Sequence, residues 1–173
     1  MYKFLKSIFV AGLCIILVGC SNSRSFSLTE EEINGFIADN NINNIAVEMI
    51  DDMAVVLFSE KSAVGFHILY KDRNGSIQDQ SVFGITSNDV PVFISGSSTM
   101  HPFVTVIIND DEMLKSASSV EVTFSDGSKI SKKFSGKGII IPYENKGIGN
   151  MFYFYVVIYD KEDNVIYHSG MAD

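Results

Sequence analysis

The chain has 173 residues, of which 46% are hydrophobic and 20% are charged, a composition typical of one or two small globular domains. Its formal net charge of -8 argues against a surface that neutralises phosphates, so we expect no nucleic-acid partner. Both cysteines, Cys14 and Cys20, lie in the first 20 residues, which excludes disulfides, cysteine-ligated zinc and cysteine nucleophiles from the rest of the chain.

The first twenty residues have the three parts of an export signal. Lys3 and Lys6 make a basic start, residues 8–18 are apolar, and small residues precede Cys20. As a helix the apolar stretch would extend about 16 Å, well short of a hydrocarbon layer about 30 Å thick. The pattern therefore predicts a signal peptide over residues 1–19 rather than a permanent membrane span.

The run Leu17-Val18-Gly19-Cys20 resembles the lipobox of bacterial lipoproteins. The resemblance implies a diacylglyceryl group on the Cys20 sulfur, cleavage after Gly19, and usually a further acyl chain such as palmitate on the new amino group. Two or more acyl chains hold a soluble domain at a bilayer. The implied location is the outward side of a cell membrane, either the plasma membrane or an outer membrane. Two alternatives remain for Cys20. It would be an ordinary residue if a conventional signal is cleaved, or it would lie in an apolar anchor that is not cleaved.

Loss of residues 1–19 would remove Lys3 and Lys6 and no acid, so the charge of -8 would become -10. Anionic lipids should repel such a domain, which we therefore expect to stand off the membrane. Residues 20–28 are Ser-rich and without pattern, and they predict a flexible tether of at most about 28 Å.

A helix is predicted to begin after Thr29. Thr29 and Glu32 have the spacing of a capping box, and Leu28 can staple onto Ile33. One apolar face should dock on the body of the domain, formed by Ile33, Phe36 and Ile37.

From Val47 onward the apolar pattern is that of extended strands. A small β-meander is predicted from Ala54–Ser59, Val64–Lys71 and Ser76–Phe83, with Asn74-Gly75 supplying the positive φ angles of a tight hairpin. The helix and the meander together occupy residues 29–86.

Residues 90–170 predict an antiparallel β-sandwich, because seven short strands follow one another in about 80 residues. The strands are Val90–Ser95, Phe103–Ile108, Val120–Phe124, Lys129–Phe134, Gly138–Pro142, Met151–Tyr159 and Val165–Tyr167. A short helix capped by Asn109 is expected over Asp110–Ala117.

Two of these strands, Phe103–Ile108 and Met151–Tyr159, are apolar on both faces and should lie at the centre of the fold, covered on both sides. The hairpin of residues 120–134 alternates apolar and polar residues and should lie at the outside. Its three lysines would discourage pairing with another chain: Lys129, Lys132 and Lys133.

The segment HILYKDRNGSI (67–77) is similar in pattern to VVIYDKEDNVI (156–166). Two hairpins with the same turn chemistry would explain the similarity, and a duplication is the alternative. The second copy resembles the last hairpin of bacterial immunoglobulin-like modules, except that Asp163-Asn164 stands where Gly-Asn is common. The expected fold is therefore mainly β, an immunoglobulin-like sandwich preceded by a β-meander and one short helix.

No motif predicts catalysis. The chain has no Gly-x-Ser-x-Gly string, and its three histidines, His67, His101 and His168, lack metal-ligand spacing. The carboxylates of Asp51-Asp52 and of residues 110–112 could form an acid/base pair, but turn solvation and helix capping explain them. We therefore predict no enzymatic activity, no cofactor and no metal site.

An aromatic strand face is the most promising binding feature. Tyr153, Tyr155 and Tyr159 alternate along a predicted strand, and tyrosine faces bind peptides or sugars as well as packing at the rim of a core. The leading hypothesis is a lipid-anchored, noncatalytic module of the bacterial envelope that contacts another envelope protein or an extracellular ligand. The alternatives are an envelope hydrolase with dispersed Asp, Glu and His residues, and a purely structural lipoprotein.

Overall fold

The computed structural model describes residues 27–85, 90–98, 101–144 and 153–169. The predicted signal peptide and the tether as far as residue 26 lie outside these residues. Two helices and eleven strands are described, in this order: α1 (Glu30–Asp39), β1 (Asn44–Ile50), β2 (Met53–Ser59), β3 (Ala63–Lys71), β4 (Ile77–Ile85), β5 (Val92–Ser97), β6 (Phe103–Ile108), α2 (Asp111–Ser116), β7 (Ser119–Phe124), β8 (Lys129–Lys133), β9 (Gly138–Pro142), β10 (Tyr153–Tyr159) and β11 (Val165–Ser169).

The strands form three antiparallel sheets. Sheet A has the order β1-β2-β3-β4, sheet B the order β5-β6-β9, and sheet C the order β11-β10-β7-β8. Strands β5, β6 and β9 of sheet B face strands β7, β10 and β11 of sheet C, an arrangement like that of immunoglobulin sandwiches. Strand β8 extends sheet C at its edge. The predicted fold class is confirmed: mainly β, an antiparallel sandwich with a preceding meander and a short N-terminal helix.

Sheet B is the middle layer. Phe103 and Ile107 of β6 pack against the buried side chains of sheet A, whereas Val104 and Val106 pack against those of sheet C. Every residue of β6 is buried, so its predicted central position is confirmed. The chain passes from sheet A to sheet B between β4 and β5, and the two sheets share this apolar contact.

Strand β2 is buried along its whole length, which the sequence analysis did not anticipate. Ala54 and Val56 pack against Leu28 and Ile33 of the helical layer. Val55 and Leu57, which alternate with them along β2, face sheet B. The apolar face of α1 docks on sheet A as predicted, and the molecule is therefore built in four layers: α1, sheet A, sheet B and sheet C.

Strand β10 does not lie at the centre of the fold, and the prediction that both of its faces are covered is wrong. Val156 and Ile158 are fully buried against sheet B, but Tyr155 is 41% exposed. The reason is that sheet C is the outermost layer among the described residues, so its second face meets solvent.

Of the two predicted helix caps, the structure confirms one and corrects the other. The Thr29 hydroxyl accepts from the Glu32 N–H at 3.3 Å, and Glu32 Oε2 accepts from the Thr29 N–H at 2.8 Å, which confirms the capping box. At α2 the predicted cap is wrong by one residue. Asp110, not Asn109, caps the helix, because its carboxylate accepts from the Met113 N–H at 2.7 Å.

The hairpin turns of the two similar segments share one geometry. The Asp72 carboxylate accepts from the N–H groups two and four residues later, at 2.8 and 3.0 Å, and Asp160 does the same at 2.9 and 2.8 Å. The positive φ angles belong to Gly75 (81°) and Asp163 (63°), and not to Asn74. The two turns therefore share their hydrogen-bond geometry, and Asp163 occupies the position of the glycine.

The hairpin of β7 and β8 lies at the outside of sheet C with β8 as an edge strand, as predicted. Lys132 reaches inward, where its Nζ donates to Glu48 Oε2 of β1 at 2.8 Å and to the Ile140 carbonyl of β9 at 3.1 Å. This contact joins all three sheets on one side of the molecule. Within the described residues, no helix has the length and apolar character needed to span a bilayer.

Candidate functional site on the outer face of sheet C

The register of sheet C places one set of alternate residues on the side away from the core. Val156 pairs with Val122 and Ile158 with Val120, and all four are core residues. Their neighbours along the strands therefore point outward. We call this surface the outer face; it comprises Ser119, Glu121, Thr123, Lys129, Ser131, Lys133, Tyr155, Val157, Tyr159 and His168.

Two of the three predicted tyrosines share this face. Tyr155 is exposed, and Tyr159 is half-buried. The side chain of Tyr153 lies outside the described part of the structure. The backbone of Tyr153 pairs with Phe124 and that of Tyr155 with Thr123, so the register shifts between them. Sequence alternation alone could not reveal this bulge.

An ion pair lies beside the tyrosines. Lys129 Nζ is 2.9 Å from Glu121 Oε1, on the neighbouring strand. The hydrogen bond and the charge of Glu121 raise the pKa of Lys129, and the nearby Tyr155 and Tyr159 act in the same direction. The outer face therefore presents both charge signs next to aromatic rings.

A buried hydroxyl completes the group. Thr123 lies between Tyr155 on β10 and Lys129 on β8 and is only 6% exposed. Its Oγ1 has no hydrogen-bond partner among the described residues. A buried hydroxyl without a partner is costly. This atom is covered by its surroundings, so it is not itself open to a ligand.

The exposed side chains of this face can make several kinds of noncovalent contact. The Tyr155 ring offers apolar area and a hydroxyl, and Lys129 and Glu121 offer charged hydrogen bonds. The pattern VEVTF indicated that Glu121 and Thr123 lie opposite the core residues of β7. Their proximity to Tyr155 depends on the pairing of β7 with β10, which sequence analysis did not establish.

A second cluster brings together residues that are distant in the sequence. His101 Nδ1 is 2.8 Å from Asp51 Oδ2, and His101 Nε2 is 3.7 Å from Asp52 Oδ1. His101 precedes β6, and the two aspartates form the turn between β1 and β2. Nothing in the spacing of these three residues along the sequence indicates the contact.

The other histidines have structural surroundings. His67 Nδ1 is 3.0 Å from Asp79 Oδ1, and its ring contacts those of Phe36 and Phe58. His67 lies on β3, and its side chain is half-buried. His168 is exposed on β11. In the ranges that the structure describes, no three His, Cys, Asp or Glu residues are arranged to hold a metal ion.

The described part of the chain is an antiparallel β-sandwich with an additional β-meander layer, and two tyrosines lie on its outer face. Comparison with protein-family models, with curated proteins and with solved structures gave no match for this chain.

Proposed function

We propose that this protein is a lipid-anchored, noncatalytic binding module of the bacterial envelope that recognises another envelope protein or an extracellular ligand through the outer face of sheet C. The observation that carries the binding role is the exposed Tyr155 ring on the outer face of sheet C, beside the ion pair of Lys129 and Glu121. The lipobox-like run ending at Cys20 supports the anchor.

The lipid anchor would make a weak binding face effective. An anchored module has its partner confined to the same narrow space, so a modest sheet-face contact achieves useful occupancy. The mixed charges and the tyrosine suit a polar partner such as a peptide segment or a sugar.

The anchor is tested by labelling cells with palmitate. The wild-type chain should incorporate the label and Cys20→Ala should not, because the thiol that accepts the diacylglyceryl group is gone. Cys14→Ala is the matched control and should label like the wild type. Equal labelling of Cys20→Ala would exclude the anchor.

The binding face is tested by recovering partners from detergent-solubilised membranes with wild-type protein and with Tyr155→Ala. Loss of partners from the variant is expected, because the exposed ring supplies contact area and a hydroxyl. Val165→Ala, at another exposed position of sheet C, should leave recovery unchanged. A wild-type sample that recovers nothing above background would contradict the proposal and favour a purely structural lipoprotein.

A hydrolase is the second candidate, and the contact of His101 with Asp51 favours it. A carboxylate 2.8 Å from an imidazole nitrogen fixes the ring orientation that a general base needs. Hydrolysis of envelope substrates that is lost in His101→Ala and kept in His168→Ala would support this candidate over the noncatalytic one.

A further inference from the structure

Strand β4 is a sheet edge that no other described strand covers. It lies at the end of sheet A, and no described strand pairs with its free side. Its nine residues pair with β3 without a register shift and include no lysine, arginine or proline. Such residues, or β-bulges, ordinarily prevent an edge strand from pairing with another chain. Elsewhere in the described chain, β8 carries three lysines and β1 has a register shift.

This edge is also the most apolar exposed strand. Four of the nine exposed large apolar side chains of the described residues lie on β4, with Phe83 at 69% and Ile85 at 83% exposure; the others are Ile77 and Val82. Exposed apolar residues gathered on one edge indicate an interaction surface rather than scattered surface residues.

The geometry points to a second copy of this chain as the partner, with the two β4 strands pairing antiparallel about a two-fold axis near Ser81. In that register Ile77 faces Ile85 of the second copy, and Asp79 faces Phe83. Asp79, the single charged residue of β4, then does not meet its own copy. The result is a continuous sheet of eight strands.

The tether agrees with this arrangement. Ser27 lies beside Lys71, whose Nζ donates to the Ser27 carbonyl at 3.2 Å, and Lys71 pairs with Ile77 at the start of β4. Leu28 packs on the α1 side of sheet A. A two-fold axis perpendicular to the sheet keeps both α1 layers on one side, so both tethers leave from the same face.

The tether lengths also fit. The two exit points lie at opposite ends of the paired strands, about 27 Å apart for eight residue steps. Each tether runs from Cys20 to Ser27, which is seven residue steps, and spans up to about 25 Å. Both anchors can therefore enter one membrane with β4 parallel to its surface. This step alone rests on the proposed lipid anchor; the pairing of the two strands does not.

The test is a charge exchange in the full chain, extracted in mild detergent, with mass measured by light scattering over a range of concentrations. Ile77→Glu and Ile85→Lys should each weaken dimerisation about tenfold or more. The double variant should return close to wild type, because each Glu then faces a Lys of the other copy. Val165→Lys and Val165→Glu, at an exposed apolar position of β11, should have no effect.

A wild-type chain that stays monomeric up to about 100 µM would overturn the proposal, as would a dimer that both single variants leave intact. Failure of the double variant to recover would overturn the register about Ser81. Palmitate labelling is a separate readout, so a dimer without the label would contradict the anchor and leave the edge pairing supported.

Discussion

At the scale of single residues, Asp126 shows how one turn carboxylate becomes a pH-dependent stabilising group. It accepts from the Ser128 hydroxyl at 2.6 Å and from the Ser128 N–H at 2.9 Å, and Tyr143 Oη donates to it at 2.5 Å. These hydrogen bonds, that of the Ser128 side chain foremost, lower its pKa from 3.8 to about 2. Tyr143 is buried against Phe124, so the bond ties the β7–β8 turn to the sandwich core.

The sign of the pH dependence follows from that shift. Because the pKa of Asp126 is lower in the folded state, its stabilising contribution is complete above about pH 4 and is lost as the pH falls towards 2. We predict that Asp126→Asn reduces the change in the free energy of unfolding across this interval. Denaturant unfolding from pH 6 to pH 2 measures it. A variant whose curve runs parallel to that of the wild type would contradict the assignment.

Residue-scale predictions succeed where the chemistry is local. The Thr29 capping box joins residues only three positions apart, so the sequence contains all the information that the contact needs. The contact of His101 with Asp51 joins residues fifty positions apart, and no spacing rule indicates it. The Thr123 hydroxyl is a similar case, because its neighbours depend on the order of strands in sheet C.

At the scale of elements, the packing of β9 against sheet A depends on one glycine. A Cβ at Gly138 would lie 2.6 Å from Ile45 Cδ1 and 2.7 Å from Leu57 Cδ2, so any side chain there requires these two side chains to shift. Gly138 thereby permits sheets A and B to approach closely.

We predict that Gly138→Ala destabilises the protein by about 1–3 kcal/mol, the usual cost of overpacking a core. Gly136→Ala is the matched control, because no atom lies within 4 Å of its new Cβ. Its stability should stay within about 0.5 kcal/mol of the wild type. Urea unfolding of the three proteins measures the difference, and equal stability of the two variants would argue against the close contact.

The positions of strands can be predicted from the sequence where a short apolar run lies between two turns. Most predicted strands are found within a few residues of their described bounds. The strand β1, Asn44–Ile50, was not identified separately, because its start lacks that pattern. The burial of β2 and the exposure of Tyr155 were not foreseen either. Both depend on which layer covers which sheet, and a strand of apolar residues looks the same in either position.

At the scale of the whole molecule, sheet B couples the meander to the sandwich. Ile107 is fully buried between sheets A and B, in contact with the apolar cluster that includes Phe66 and Leu57. Further links cross the same boundary, among them the hydrogen bond from Lys137 Nζ to Ser59 Oγ at 2.9 Å. Sheets with a common core of this kind should unfold together.

We therefore predict that Ile107→Ala lowers the free energy of unfolding by about 2–5 kcal/mol, the usual range for such a truncation in a core. The loss should appear in both parts of the chain. Hydrogen exchange is the measurement: amides of β2 and of β7 should lose protection to the same extent. Loss confined to sheet A would show that the meander and the sandwich unfold independently.

The proposed role at the bacterial envelope depends on Cys20 as the acylated first residue of the mature chain. Mass spectrometry of the protein isolated from membranes tests this most directly. We predict an N-terminal peptide that begins at Cys20 and carries a diacylglyceryl group on its sulfur. A mature protein that begins at any other residue, or that has an unmodified Cys20 thiol, would contradict the account.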